Sequence, residues 1–366
     1  MAILCIFEQI NRPLKRLPNL DVLRFVLSLF VLIFHLPQLS KNQNLPYFEG
    51  LDLFHKGKHA VYMFFVLSGF LIIGQIYNLK NINNFNIAKF YKHRALRILP
   101  LYYLIVVFGL IFYNVILPFL NIDFPITYSI SEGILYNLFF LPNVFSKLYS
   151  PGGILEILWS IGIEEQFYLI VAPLLFIVKN KHVLYFIFTL TVLYFGVYHL
   201  DSVSVFRTYF CVFFLLFSGG IISILGVENK LKLFKNNKFI SYVVIGLTGL
   251  SFFTSIFESE NVIWLNLFIT ILYPLFIYTI SHNKHVPNIK SKWLNHLGKI
   301  SYGLYMYHVL ALNFVVFCAL KIQPYNIIND ICMIILINVL TLLITIIIAH
   351  FSYKYYESYF LKFKNK

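Results

Sequence analysis

The chain has 366 residues, of which 59% are hydrophobic, 19% aromatic and only 12% charged, and its mean hydropathy is +0.77. A typical soluble domain carries about 25% charged residues, so this composition excludes a water-soluble protein and predicts a polytopic membrane protein. In a soluble chain the net charge of +14 would suggest nucleic-acid binding. Here cytoplasmic loops rich in Lys and Arg explain it, and we expect no nucleic-acid partner.

The first residues, MAILCIFEQINRPLKRLP, do not have the pattern of a signal peptide. The apolar run is short, the basic residues follow it, and no small-residue cleavage site appears. We therefore expect membrane insertion to depend on the first true transmembrane helix.

The four cysteines show neither metal-ligand spacing nor a disulfide framework. They are Cys5, Cys211, Cys318 and Cys332, and all lie in or beside apolar runs. We expect buried structural thiols and no metal cofactor.

Ten segments have the roughly 20 mostly apolar residues that a spanning helix needs. They are 19–39, 59–78, 98–118, 155–178, 183–199, 203–225, 239–257, 262–281, 299–320 and 327–350. Segment 130–147 is shorter and interrupted, which predicts a re-entrant or interfacial element. The predicted fold class is all-α: a polytopic membrane helix bundle of about ten transmembrane helices. We expect a single transmembrane domain over residues 1–366 with no appended soluble domain.

The basic residues predict the orientation of the bundle. With the N-terminus in the cytoplasm, 22 of the 29 Lys and Arg residues fall on cytoplasmic segments and 6 on outer segments. The remaining one, Arg24, lies inside the first span. This asymmetry predicts that both termini are cytoplasmic.

The first span, LDVLRFVLSLFVLIFH, contains ionisable residues, which are costly inside a bilayer and usually functional. Arg24 and His35 are eleven residues apart, about three helical turns, so they share one face of the helix. Asp21 lies three residues before Arg24 and can pair with it. The alternative to a functional role is structural: Asp21 and Arg24 would form an interfacial ion pair, and His35 would be an ordinary core histidine.

The stretch WSIGIEEQFYL, residues 159–169, places two adjacent carboxylates in apolar surroundings. Trp159 is a natural interface anchor, and the helical rise then brings Glu164 to a depth similar to that of His35. Ser160 shares a face with Glu164. Because neighbouring residues diverge by about 100°, Glu164 and Glu165 cannot both face one site, and we expect Glu164 to face it.

The stretch FYKHRALRILPLYY, residues 90–103, carries Arg94 and Arg97 on one helical face at the predicted cytoplasmic edge. Arg binds phosphate oxygens through a planar fork. The chain has 23 Lys and only 6 Arg, so two closely spaced arginines favour a phosphate site over ordinary positive-inside charge. Positive-inside charge alone is sufficient to explain Lys89 and Lys92.

Two further spans carry smaller polar groups. His308 lies between aromatic residues in LGKISYGLYMYHVL, and Ser68 and Gly69 lie within VYMFFVLSGFLI. Close helix packing is the simpler explanation for the Ser-Gly pair.

Together and in this order, these segments resemble the acyltransferase-3 family of integral membrane acyltransferases. The resemblance rests on Arg24 and His35 with ten residues between them, and on five further motifs. Those are FFVLSGFLI (64–72), FYKHRALRILPLYY (90–103), WSIGIEEQFYL (159–169), LGKISYGLYMYH (297–308) and SYKYYE (352–357).

The resemblance implies a multi-pass enzyme of a bacterial plasma (inner) membrane. It would transfer an acyl group, here expected to be acetyl from acetyl-CoA on the cytoplasmic side, to a sugar hydroxyl of a cell-surface glycan such as O-antigen lipopolysaccharide or capsule. The expected partners are acyl-CoA, a glycan or lipid-linked sugar acceptor and membrane lipid. The sequence leaves the oligomeric state open, including a homo-oligomer, and does not name the glycan.

On this hypothesis Arg94 and Arg97 bind the CoA phosphates with help from Arg24. His35 acts as general base or carries the acyl group, and Glu164 orients its imidazole. Ser160 and His308 are candidate groups on the acceptor side. Arg207, at the outer mouth, is a further candidate for acceptor binding.

Two other classes of protein compete with the enzyme. A transporter of a sugar or lipid-linked substrate could also place His, Arg and Glu along a path through the bundle, although Pro118, Pro173 and Pro274 do not fall at matching positions in two halves. A membrane scaffold would not need ionisable groups inside the bilayer.

Overall fold

The structure is a computed structural model that describes residues 17–258, 261–323 and 328–365. The N-terminal segment, which contains Cys5, Arg12, Lys15 and Arg16, lies outside the described residues. The prediction that it is not a signal peptide therefore concerns residues that the structure does not describe. Within the described ranges the chain forms α-helices and connecting turns with no β-strand. The all-α prediction is confirmed.

Thirteen helices of the described ranges are numbered here in chain order. They are α1 Leu20–Asn42, α2 Gly57–Asn81, α3 Ile87–Ile111, α4 Ile130–Leu138, α5 Pro142–Tyr149, α6 Trp159–Ile177, α7 Val183–His199, α8 Phe213–Val227, α9 Lys238–Phe253, α10 Val262–His282, α11 Lys292–Lys299, α12 Ser301–Ile322 and α13 Asp330–Phe351.

Eight stretches in the described part of the chain are long and apolar enough to cross a membrane: those built on α1, α2, α3, α6, α7, α10, α12 and α13. The helix α3 continues through a π-helical turn, Phe112–Ile116, to Phe119, and α13 is followed by a second π-helical turn, Ser352–Glu357. The two remaining predicted spans correspond to the shorter apolar helices α8 and α9. The chain is therefore a polytopic helical membrane bundle.

The predicted span 203–225 is wrong in its first half. The structure has a short helix, Val205–Thr208, then a break, and α8 begins only at Phe213. Phe210 within the break has φ of 57°, a left-handed conformation that cannot continue a right-handed helix. Segment 130–147 forms α4 and α5, each too short to cross about 30 Å of hydrocarbon, which agrees with an interfacial element.

Side-chain caps explain where several helices start. Asn86, Ser129, Asn261 and Asn329 each accept a hydrogen bond from a backbone N–H in the first turn of the following helix. At Ser129 the Glu132 side chain also binds back to the cap, which completes a capping box. These short polar side chains accept hydrogen bonds from first-turn N–H groups that have no partner within the helix.

The centre of the bundle is the crossing of α2 and α8. A Cβ atom at Gly69 would lie 1.8 Å from the carbonyl oxygen of Leu216, and one at Gly219 would lie 2.0 Å from that of Val66. The two helices therefore meet backbone to backbone, as small residues allow in membranes. This close approach makes α2 the most enclosed of the spanning helices.

The cysteine prediction is only partly right. Cys211 is half-buried, but Cys318 and Cys332 are exposed on the outside of α12 and α13. Because the lipid-facing surface of the bundle is largely apolar and a thiol behaves as a small hydrophobic side chain, these two positions are compatible with cysteine.

Candidate functional site

A cavity of about 680 Å³ lies within the bundle. The helices α1, α2, α3, α6 and α12 supply most of its lining, with contributions from α8 and α10. One end of the bundle, here called the arginine end, contains the start of α1 and the start of α3. The opposite end, called the histidine end, contains the end of α1 and the start of α2 and α6.

Three arginines line the arginine end of the cavity. Arg24 donates to Asp21 over 2.5 Å, which confirms the predicted i,i+3 pair. Among the described residues, Arg94 and Arg97 make only long hydrogen bonds of 3.4 Å, to the Gln75 side chain and the Lys299 carbonyl. Arg94 Nε is buried and has no hydrogen-bond partner within the same described ranges. Most donors of this second pair therefore remain available to a ligand.

The approach of α11 shapes this end of the cavity. A Cβ atom at Gly298 would lie 1.9 Å from the carbonyl oxygen of Asp21, so only glycine lets α11 pack this closely on α1. Lys299, which follows, lines the cavity together with Tyr353 and Lys364 from the C-terminal segment. The sequence analysis assigned Lys299 and Lys364 only to the general basic charge of the cytoplasmic side.

Glu164 and Glu165 separate as the helix geometry predicts. Glu164 lines the cavity and accepts hydrogen bonds from the Tyr168 hydroxyl at 2.6 Å and the Ser68 hydroxyl at 3.3 Å. The Arg94 guanidinium lies over the Tyr168 ring, 6.0 Å from its centre. Glu165 does not line the cavity and is buried, with Oε1 lacking a partner.

Sequence reasoning treated Ser68 as a packing residue and did not consider Tyr168. Both belong to motifs that were already quoted, FFVLSGFLI and WSIGIEEQFYL. The available signal was the four-residue spacing between Glu164 and Tyr168, which puts both on one helical face.

Two histidines meet near the histidine end. The rings of His35 and His308 have centres 5.2 Å apart with an angle of 37° between their planes. His35 Nδ1 lies 3.2 Å from Oε1 of Gln38. In this structure Gln38, rather than Glu164, hydrogen-bonds to His35. With the Gln38 amide in this orientation its oxygen accepts from Nδ1–H, which leaves the Nε2 lone pair available.

His308 is fully enclosed, with 1% of its surface exposed. Its Nδ1 lies 2.5 Å from the carbonyl oxygen of Tyr305, and its Nε2 has no partner in the part of the chain that the structure describes. The carbonyl again places the proton on Nδ1, so a second basic nitrogen remains free. Buried polar atoms are seldom left unpaired, and this one is suited to a hydroxyl donor.

Tyr305 and Ser160 lie in the cavity lining next to the histidines. Both line the cavity, whereas His35 and His308 do not. The Ser160 and Tyr305 hydroxyls are 2.7 Å apart, and Tyr305 donates to the Ile157 carbonyl over 2.8 Å. The Tyr305 ring lies 5.7 Å from that of His308. Ser160 thus contacts a cavity-lining tyrosine whose ring is next to His308.

Arg207 is not part of the cavity lining. Its guanidinium pairs with Asp201 at 2.8 Å and also reaches the carbonyls of His199 and Leu200 at 3.4 Å. These contacts hold the turn between α7 and α8. Among the described residues, no group of three or more His, Cys, Asp and Glu is arranged to hold a metal ion.

The fold and this cavity define a helical membrane protein with ionisable side chains inside the bundle. The sequence model of the acyltransferase-3 family, described as an acyltransferase domain, matches residues 17–350. The chain belongs to this family.

Curated relatives come from Staphylococcus aureus. A protein of strain COL named "Putative O-acetyltransferase" is 29% identical over 385 residues, covering 96% of this chain. The O-acetyltransferase OatA of strain NCTC 8325 is 26% identical over 379 residues, with the same coverage. This chain spans 58% of the length of each of these relatives. No solved structure matched the chain.

Proposed function

We propose that this protein is an O-acetyltransferase that moves an acetyl group from acetyl-CoA to a sugar hydroxyl of a cell-surface glycan. Family membership and the names of the relatives support acyl transfer. The observation that carries the proposal is the cavity itself, with a cationic cluster at one end and two basic imidazole nitrogens beyond the other. The same proposal places the arginine end in the cytoplasm of a bacterium, in its plasma membrane.

The donor would enter at the arginine end. Arg94 and Arg97 bind the CoA phosphates through their planar forks, and their weak existing bonds and the unpaired Arg94 Nε support this role. Arg24, which Asp21 already neutralises in part, assists them. The pantetheine arm then extends along the cavity toward Ser160 and Tyr305.

The chemistry would occur at the histidine end. The acceptor hydroxyl oxygen attacks the thioester carbonyl while His35 Nε2 takes the hydroxyl proton as general base. The carbon–sulfur bond breaks, and the CoA sulfur leaves with the proton that His35 returns. Gln38 fixes the tautomer of His35, and Glu164 supplies negative charge within the cavity beside Arg94.

The direct test uses purified protein in liposomes with labelled acetyl-CoA outside or inside. Transfer of label to an acceptor glycan on the opposite side supports the proposal. Movement of a sugar or lipid-linked substrate without acyl transfer would favour a transporter instead. Comparative mass spectrometry of surface glycans, with and without the gene, identifies the acyl group, since acetyl adds one C2H2O unit.

A further inference from the structure

A cluster of aromatic residues lies at the histidine end, next to the cavity. The Trp159 ring lies 5.8 Å from that of Phe65 and 5.2 Å from that of Phe210. Phe65 lines the cavity, and so does Ser160, which follows Trp159 in the chain. Trp159 and Phe210 are half-buried rather than enclosed. The cluster therefore places half-buried aromatic rings next to residues that line the cavity.

The backbone at Phe210 is in the left-handed region, with φ of 57°. This conformation is unusual for a bulky side chain, and such residues persist where the surrounding structure holds them. The break between the short helix Val205–Thr208 and α8 thereby places the Phe210 ring against Trp159.

Lys58 completes the cluster. Its ammonium group lies 5.5 Å from the centre of the Tyr62 ring and 5.7 Å from that of Phe210, within the range of cation–π attraction. The side chain is exposed. Among the residues that the structure describes, no carboxylate pairs with it.

Most other Lys and Arg residues at this end of the bundle are neutralised, with Lys147 and Lys321 as the exceptions among the described residues. Carboxylates hold the other three, in the pairs Lys41–Glu49, Lys56–Glu258 and Arg207–Asp201. Lysine is also scarce on this predicted outer side, where the positive-inside rule disfavours it. An exposed lysine held between two aromatic rings, with no carboxylate partner in the described part of the chain, favours a negatively charged ligand.

We infer that Lys58, Trp159 and Phe210 form a binding subsite for an anionic sugar unit of the acceptor glycan. The aromatic faces pack against the apolar C–H face of the sugar ring, and Lys58 binds its carboxylate or phosphate through a charge-assisted hydrogen bond. This inference rests on the proposed function, because it names the class of acceptor: an acidic glycan, with the charge on a sugar acid or on a phosphate ester.

Tryptophan fluorescence tests the subsite without any acyl donor. The chain has three Trp residues; Trp264 and Trp293 are 65% and 78% exposed, so Trp264→Phe with Trp293→Phe leaves Trp159 as the only reporter. The protein, in discs of neutral phosphatidylcholine, is titrated with a galacturonic acid oligomer, its methyl ester and a galactose oligomer phosphorylated at O6. Calorimetry on the unmodified protein with the same probes gives the same comparison if this variant folds poorly.

We expect at least one anionic oligomer to change the Trp159 emission and to bind about tenfold or more tightly than the uncharged methyl ester. The anionic oligomer that binds more tightly shows whether the subsite prefers a carboxylate or a phosphate group. Lys58→Gln should remove this preference and Lys58→Arg should keep it. Lys321→Gln is the matched control, since Lys321 is also exposed at this end and lies over a single ring, Phe317.

Equal binding of the methyl ester, or an unchanged anion preference in Lys58→Gln, would overturn the inference. So would a Lys58-dependent change in emission on replacing phosphatidylcholine with phosphatidylglycerol in the absence of saccharide, because Lys58 would then bind a lipid headgroup. A protein that binds the anionic oligomer but transfers no acetyl group would contradict only the proposed function.

Discussion

His35 on α1 and His308 on α12 lie with ring centres 5.2 Å apart. Each has its Nδ1 directed at an acceptor, the Gln38 amide oxygen and the Tyr305 carbonyl. Each imidazole therefore keeps Nε2 as a free base. Tyr305 and Ser160 line the cavity whereas the two histidines do not, and the Tyr305 ring lies 5.7 Å from that of His308.

Replacing His35 by alanine should remove the general base. We expect acetyl transfer to fall by about 10² to 10⁴ while acetyl-CoA binding is unchanged, because the phosphate site is at the other end of the cavity. Labelled acetyl transfer and donor binding are measured on the same preparation. His55→Ala, an exposed histidine at the same end, is the control. A normally inserted His35→Ala protein with full activity would exclude the catalytic role.

Arg94→Lys with Arg97→Lys keeps the charge but loses the planar forks. Because Lys binds phosphate as a point charge, we expect acetyl-CoA to bind about tenfold more weakly. Equilibrium binding of acetyl-CoA measures this. The matched control, Lys89→Gln with Lys92→Gln, removes two exposed charges from the same helix and should change binding little. Unchanged affinity in the double Lys variant would refute the phosphate clamp.

Glu164→Gln and Glu165→Gln form a matched pair of adjacent substitutions. Glu164 lines the cavity and accepts two hydroxyl hydrogen bonds, whereas Glu165 does neither. We expect Glu164→Gln to lower the acetyl transfer rate about tenfold or more, since bonds to a charged group are lost, and Glu165→Gln to lower it less. If the two effects are reversed, Glu165 and not Glu164 serves the site.

Gly69→Ala should destabilise the bundle. The added methyl group would lie 1.8 Å from the Leu216 carbonyl, and since backbone atoms cannot move aside, we expect a loss of about 1–3 kcal/mol or more. Thermal unfolding in detergent and folded yield measure it. Gly246→Ala meets nothing within 4 Å and should be tolerated; equal behaviour of the two variants would argue against the close contact of α2 and α8.

The segment of α4 and α5 should loosen in acid. Hydrogen bonds from the Ser129 backbone, the Tyr149 hydroxyl and the Ser129 hydroxyl lower the pKa of Glu132. This carboxylate therefore stabilises the segment above its unfolded pKa of about 4.3, and the stabilisation is lost as the pH falls through the lowered folded value.

Hydrogen exchange of residues 129–149 measures the effect. We expect protection, after correction for intrinsic rates, to be constant near neutral pH and to decline in acid. Glu132→Gln should show little of this decline. An equal acid response in both proteins would assign the loosening to another group.

Much of the site could be predicted because helix periodicity fixes the relative directions of side chains on one helix. The shared face of Arg94 and Arg97, the pairing of Asp21 with Arg24, and the divergence of Glu164 from Glu165 all follow from about 100° per residue. Periodicity contains no information about which neighbour a face meets. For that reason the sequence analysis paired Glu164 with His35, whereas the structure pairs it with Ser68 and Tyr168.

The sequence by itself determined the membrane class, the approximate positions of the apolar helices and the ionisable residues that the bilayer would otherwise exclude. It did so because burial in lipid requires long apolar stretches and makes each exception costly. Only the tertiary structure decided that His308 on α12 lies beside His35 on α1, and that Ser68 on α2 donates to Glu164 on α6. Those contacts join different helices, and they depend on how closely glycines such as Gly69 and Gly298 let the backbones approach.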